Sequence, residues 1–219
     1  MEQNRTKPSY EVVVIGANGG IGKQVVLAAL GAGHSVTAIL RTPANLEIVH
    51  PNLRVVHGDV LKPGSLDEHL VNKDVVISAI GSTSLKKTTL YSEGIKNLIN
   101  AIPKAQIRHA FFISASGLEI NPTHSLIVRF LTKYVLQTLL RNMYADLWKM
   151  ERIVKASAIN WTIIRPPKLI NSPAKTEYRT EVGQQVENGL EISRADVAHF
   201  IVNNLANDAI IKRTVEIAY

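Results

Sequence analysis

The 219-residue chain contains no cysteine, which excludes a disulfide framework, a thiolate metal site and a cysteine nucleophile. A reducing compartment is compatible with that composition. Aromatic residues make up only 5% of the sequence, and no basic run is interleaved with them. The formal net charge of +7 therefore reads as a solvated basic surface with a few cations kept for a phosphorylated ligand, and no nucleic-acid partner is expected. No apolar run approaches the length of a membrane span. Met1 to Ser9 is polar without an apolar stretch, so a signal peptide is not expected and the cytoplasm is the default compartment. No histidines and carboxylates share metal-ligand spacing, and no metal is expected. What is present, 46% hydrophobic and 20% charged residues, suffices for one domain with a substantial core.

The most informative stretch is Val12-Val13-Val14-Ile15-Gly16-Ala17-Asn18-Gly19-Gly20-Ile21-Gly22. An apolar β-branched run, a glycine turn and an Ala/Leu-rich segment follow without a break, which reads as buried strand, tight turn, helix. Gly16, Gly19 and Gly22 have the spacing G-x-x-G-x-x-G. The first can adopt positive φ, the second lets backbone approach a pyrophosphate, and the third lets helix pack close to strand. Free N–H groups and the positive dipole end at the helix start then hold phosphates. Two glycines in a turn are common by chance; the strand–turn–helix context is what makes the pattern a dinucleotide site.

Along the chain, strands are expected at Tyr10–Ile15, His34–Leu40, Leu53–His57, Asp74–Gly81 and Ala110–Ser114, with a sixth ending at Pro166-Pro167. Helices are expected at Ile21–Gly31, Pro63–Leu70 and Leu90–Ile102, the last stopped by Pro103. Alternation at this interval implies an α/β fold, a Rossmann-type doubly wound, mostly parallel sheet of about seven strands with helices on both faces. Ligands of that fold bind at the carboxyl ends of the strands. The second strand ends at Arg41. An acidic residue there suits the ribose 2′-hydroxyl of NAD, whereas an arginine suits the 2′-phosphate of NADP; a plain surface arginine is the alternative. Asp59, after the third strand, can accept from an adenine amino group, or turn the chain, or do both. His109 opens a strand and reads as structural, and His124 is open to either reading. Ser193 followed by Asp196 reads as a helix cap.

The chain resembles the short-chain dehydrogenase/reductase superfamily, and within it the atypical branch of NmrA-like proteins and biliverdin-IXβ/flavin reductases. The residues that carry the resemblance are Gly16 to Gly22, Arg41, Gly58-Asp59-Val60, Ser78-Ala79-Ile80-Gly81, Tyr91 to Ile99, Ser157 to Pro167 and Ser193 to Ala198. It implies one NAD(P)-binding Rossmann domain over 1–219, with a small substrate-side portion from 118–147 and 166–192. It further implies phosphates at Asn18, Gly19, Gly20 and Ile21, a 2′-phosphate at Arg41, and adenine at Asp59 and Val60. Ribose would pass Ala79, Ile80 and Gly81, and nicotinamide would lie near Ser114 and Pro166. NADP(H) is expected in preference to NAD(H).

One departure bears on the reaction. Many members of the superfamily use Tyr-x-x-x-Lys, and here no tyrosine is followed by lysine at four. Tyr144 and Lys149 are five apart, which turns them away from each other on a helix; Tyr144 and Trp148 read more easily as a packing pair. Ser114, Ser116 and Tyr144 are the candidates for orienting an acceptor. Asn121 to Ala145 has no Asp or Glu and carries Arg129, Lys133 and Arg141 beside helically spaced apolar residues. It is open to four readings: a substrate lid, a subunit interface of a homo-oligomer, a membrane-surface contact, or a helix packed on its own domain. Lys175 to Leu190 is expected to be a mobile loop. The expected function is an NADPH-dependent oxidoreductase reducing a small, flavin- or quinone-like acceptor without the Tyr/Lys pair. The alternative is an NADP(H)-binding regulator without turnover; an epimerase or dehydratase is disfavoured because such relatives usually keep the pair.

Overall fold

The computed structural model describes residues 8–82 and 84–219; most of the polar leader, where no signal peptide is expected, lies outside them. β1 (Glu11–Ile15) runs into α1 (Gly20–Gly31), then β2 (Ser35–Leu40) and β3 (Leu53–His57). A single helical turn, α2 (Asp67–Leu70), precedes β4 (Val75–Ser78), α3 (Leu90–Ala105) and β5 (His109–Ile113). A mostly helical stretch follows: α4 (Leu126–Leu131), a π-helical turn (Thr132–Leu136), α5 (Gln137–Leu139) and α6 (Arg141–Ala156). The remaining elements are β6 (Trp161–Arg165), β7 (Lys168–Ile170), β8 (Arg179–Val182), β9 (Glu191–Ser193), α7 (Arg194–Asn203) and β10 (Arg213–Ala218).

The main sheet has eight strands in the order β3-β2-β1-β4-β5-β6-β10-β8, all parallel except β8. Strand order reverses between β1 and β4, so the ligand crevice of this fold opens there. Alternation along each strand divides the core into two layers. Val12 and Val14 pack with Val25, Val26, Val197 and Ile201 of α1 and α7, whereas Val13 and Ile15 pack with Ile95, Leu98, Leu147 and Met150 of α3 and α6. Buried Asp146 on α6 caps the neighbouring α3, accepting from the Tyr91 N–H (2.9 Å), the Ser92 N–H and the Ser92 hydroxyl. A carboxylate at a helix N-terminus meets unsatisfied donors and the positive dipole end.

Three expectations are corrected. Pro103 lies inside α3; its exposed ring sits in the last turn, where only one i→i−4 bond is lost, and the helix ends instead at Gln106 in the left-handed conformation (φ +57°). The short helix after β3 is confined to its final turn. The sheet has eight strands and not about seven, because part of the Lys175–Leu190 stretch is strand β8, paired antiparallel with β10. A separate two-stranded ribbon joins β7 to β9.

His109 is structural, as its position suggests. Thr162 Oγ1 donates to the Ile210 carbonyl (2.7 Å) and accepts from His109 Nε2 (2.8 Å). Burial holds the imidazole pKa down at about 4. Between pH 6.5 and 4 the unfolded chain takes up a proton that the fold refuses, so stability falls as pH drops through that window. Relative to His109→Gln, the parent is expected to lose about 3 kcal/mol of unfolding free energy between pH 7 and 4, read from urea melts at each pH. Parallel pH profiles for the two proteins would contradict this.

Candidate functional site

The β1–α1 turn closes on backbone. Gly16 has φ +80°, and a Cβ there would fall 2.6 Å from the Ala79 carbonyl oxygen at the end of β4. A Cβ on Gly22 would strike the Gly16 carbonyl. The Gly19 N–H donates to Gly16 O (2.9 Å) and the Lys23 N–H to Gly19 O (2.8 Å). No side chain caps α1, and its first turn holds no acidic residue. The opening N–H groups and the positive dipole end therefore face outward at the mouth of the crevice, free for an anion.

One cleft of about 1080 Å³ runs along the carboxyl ends of the strands. Of the residues expected to bind cofactor, Gly16, Asn18, Gly19, Gly20, Ile21, Arg41, Val60, Ala79, Ile80, Gly81, Ser114 and Pro166 line it. Gly22 does not; it serves close packing of helix on turn. Asp59 does not line it either: its Oδ1 accepts from the Leu61 N–H (3.0 Å), which is the turn-forming alternative. Arg41 is exposed at the β2 end of the cleft, with no carboxylate within salt-bridge distance among the described residues.

Sequence reasoning missed a second cation here. Arg194, directly after the Ser193 cap, lies over the α1 start so closely that a Cβ on Gly20 would collide with its Cδ and Nε. Its Nη1 is held by Asn171 Oδ1 (2.8 Å) and the Leu169 carbonyl (3.3 Å), which leaves a positive charge beside the glycine turn. The capping reading of Ser193 holds: its Oγ accepts from the Asp196 N–H (2.9 Å). The sequence signals for Arg194 were its place next to that cap and within the Ser193 to Ala198 resemblance.

At the other end lie Ser114, Ser116 and Tyr144. The Ser114 N–H donates to Ile164 O (2.8 Å) and the Ser116 N–H to Pro166 O (3.0 Å), which fixes the loops after β5 and β6 against each other. Ser114 Oγ donates to Glu151 Oε1 (2.7 Å), and Arg165 grips the same carboxylate through Nε (2.8 Å) and Nη2 (2.7 Å). Burial would raise the Glu151 pKa, but the Arg165 charge and hydrogen bonds, with Ser114 and Lys155, bring it below the usual carboxylate range. This pair was not legible from spacing, since Glu151 and Arg165 lie on a helix and a strand.

Tyr144 and Trp148 do not form the expected pair. The Tyr144 hydroxyl packs against Gly117, where a Cβ would be 2.5 Å away, while the Trp148 ring lies 5.7 Å from the Arg165 guanidinium carbon. Burial pushes the Tyr144 pKa up, and Lys149 is exposed on another side of the helix. His124 also lines the cleft, and its Nε2 is buried with no hydrogen-bond partner among the described residues. Among those residues no group of His, Asp or Glu could hold a metal ion.

Removing one member of a buried ion pair leaves the other charge uncompensated. Glu151→Ala is expected to cost about 3–5 kcal/mol of unfolding free energy by urea titration; a loss below about 1 kcal/mol would show that the existing Arg165–Glu119 pair (2.9 Å) is enough to compensate the guanidinium.

A family model described as NAD(P)H-binding matches residues 16–208. The chain is 33% identical over 107 residues to photosystem II assembly factor Ycf39 of Synechocystis, and 30% identical over 125 residues to phenylcoumaran benzylic ether reductase PT1 of Pinus taeda. These matches take in 47% and 52% of the chain but only 33% and 38% of those proteins. An uncharacterized chloroplastic protein of Arabidopsis thaliana, At2g34460, is 29% identical over 99% of the chain and 79% of its own length. Among solved structures, a wide-type short-chain dehydrogenase/reductase from Veillonella parvula in complex with NADP superposes with a TM-score of 0.77 at 20% identity, over 97% of this chain and 95% of that one. A candidate NADH-flavin reductase from Streptococcus pneumoniae gives 0.77 at 24% identity, over 96% and 99%. The fold is thus a Rossmann-type α/β fold, and with its model covering residues 16–208 the chain belongs to the NAD(P)H-binding family.

Proposed function

We propose that the protein is an NADPH-dependent reductase of a small acceptor of flavin or quinone type. The observation that carries this reading is the single cleft that joins the uncapped α1 start and Arg41 to Ser114, Ser116 and Tyr144. In this reading residues 1–219 form one domain, with the substrate-side portion drawn from 118–147 and 166–192. The N–H groups at Asn18, Gly20 and Ile21, backed by Gly16, Gly22 and Arg194, hold the diphosphate, with Gly19 keeping its own N–H on Gly16 O. Arg41 selects the 2′-phosphate, so NADP(H) is preferred over NAD(H). Val60 meets the adenine, with Asp59 turning the chain beside it, Ala79 to Gly81 pass the ribose, and Ser114 and Pro166 flank the nicotinamide. The compartment proposed is the cytoplasm.

NADPH supplies the hydride when bound, and the chain's task is to position the acceptor and exclude water. Ser114 directs its proton to Glu151, which leaves its oxygen lone pairs to accept from an amide or ring N–H. Ser116 and Tyr144 orient the acceptor. Tyr144, with its pKa raised by burial and no lysine beside it, is a weak proton donor at neutral pH. The proton that accompanies the hydride therefore comes from solvent. The plant ether reductases among the relatives support the reductase class, and a candidate NADH-flavin reductase shares the fold. The buried, unactivated Tyr144 also favours a second reading, an NADP(H)-binding regulator without turnover.

Fluorescence titration with NADPH and NADH, then loss of the reduced-nicotinamide absorbance with FMN, quinones and small carbonyls, tests both readings. Arg41→Ala is expected to weaken NADPH by about tenfold or more and NADH by less than about twofold. Tyr144→Phe should retain turnover within about threefold. Oxidation of NADPH by one acceptor class establishes the reductase; tight binding with no turnover favours the regulator; failure to bind either nucleotide removes both.

A further inference from the structure

The stretch from Leu126 to Leu140 presents two apolar faces where the fold needs one. Val128, Thr132, Leu136 and Leu140 recur at i, i+4 and line the cleft. On the opposite side Leu126, Ile127, Phe130, Leu131, Tyr134 and Val135 are between 49% and 78% exposed. Packing on the parent domain therefore accounts for the inner stripe only. Phe130 and Tyr134 pack on each other, ring centroids 4.7 Å apart, so the outer residues form a continuous strip. Single exposed leucines need no explanation, but six large apolar side chains on successive turns mark a docking surface.

The charge around the strip selects its occupant. From residue 120 to 145 there is no Asp or Glu, and Arg129, Lys133 and Arg141 have no carboxylate within salt-bridge distance among the described residues. Asn142 Nδ2 donates to the Leu85 carbonyl (2.8 Å), which brings a second loop to the same end of the strip. That loop carries exposed Leu85 and the exposed pair Lys86-Lys87, again without an acidic residue.

We propose that this basic, apolar strip docks the protein on an anionic lipid bilayer. The six side chains enter the headgroup–acyl boundary and the cations meet lipid phosphates. A second copy of the chain fits worse, since a two-fold contact would set Arg129, Lys133 and Arg141 against their own copies with no carboxylate in the strip to pair them. The contact is peripheral, and no described helix is long and apolar enough to cross a membrane.

The test is co-flotation of the full chain with vesicles of phosphatidylcholine alone or enriched in phosphatidylglycerol, at low and high salt. The protein is expected to float with the anionic vesicles, about tenfold less with the neutral ones, and less at high salt. Ile127→Asp with Phe130→Asp should abolish flotation, and Arg129→Gln with Lys133→Gln should weaken it and flatten its salt dependence. All four positions are exposed, so unchanged thermal melts will show that the variants fold. Absence of flotation with anionic vesicles, or equal flotation of parent and variants, overturns the proposal. So does a dimer that the double aspartate variant dissolves in the absence of any lipid binding. Flotation does not depend on turnover, so failure of the reductase reading leaves this outcome distinct.

Discussion

The crossing of the β1–α1 turn over the end of β4 is the constraint from which the cleft follows. Gly16 and Gly22 leave no Cβ between turn, strand and helix, so α1 starts directly above the switch in strand order. A side chain at either place would push the helix start away from the sheet edge and close the crevice. Because the cap is Gly19, which has no side chain to satisfy the first turn, those donors stay available for an external anion. Arg194 reaches the same place from α7, on the layer that packs against α1. This end of the cleft is thus built from backbone and one long cation.

The opposite end is built from buried charge. Glu151 of α6 receives Arg165 of β6 and Ser114 after β5, so one carboxylate ties the helix to the carboxyl ends of two neighbouring strands. The Tyr-x-x-x-Lys pair, which the resemblance sets as the comparison, is absent from this sequence. Here the helix contributes a fixed acceptor and a buried tyrosine with a raised pKa. The arrangement positions groups and offers little proton donation, which suits acceptors that take their proton from water.

What the sequence disclosed, and what it withheld, divide by range. β3 begins and ends where its Leu53–His57 run predicts, and the strand–turn–helix around Gly16 was legible because each residue acts on its neighbours. β8 was hidden, since Arg179–Val182 is exposed along its whole length and becomes strand only through pairing with β10. Pro103 was misleading because a helix stop depends on how many bonds remain to be lost, and in the last turn few do. Arg194 and the Glu151–Arg165 pair were withheld because their partners lie far away in sequence. The acid-free stretch was visible as composition, but only the structure divides it into an inner stripe on the cleft and an outer face in solvent.

The central claim is that one dinucleotide lies along this sheet edge, phosphates on the α1 start and nicotinamide at Ser114. A crystal structure of the protein with NADP⁺ tests it most directly. The account predicts density for the diphosphate on the N–H groups of Asn18, Gly20 and Ile21, the 2′-phosphate at Arg41 and the nicotinamide beside Ser114 and Pro166. A nucleotide bound in the reverse sense, or seated away from the glycine turn, would contradict it.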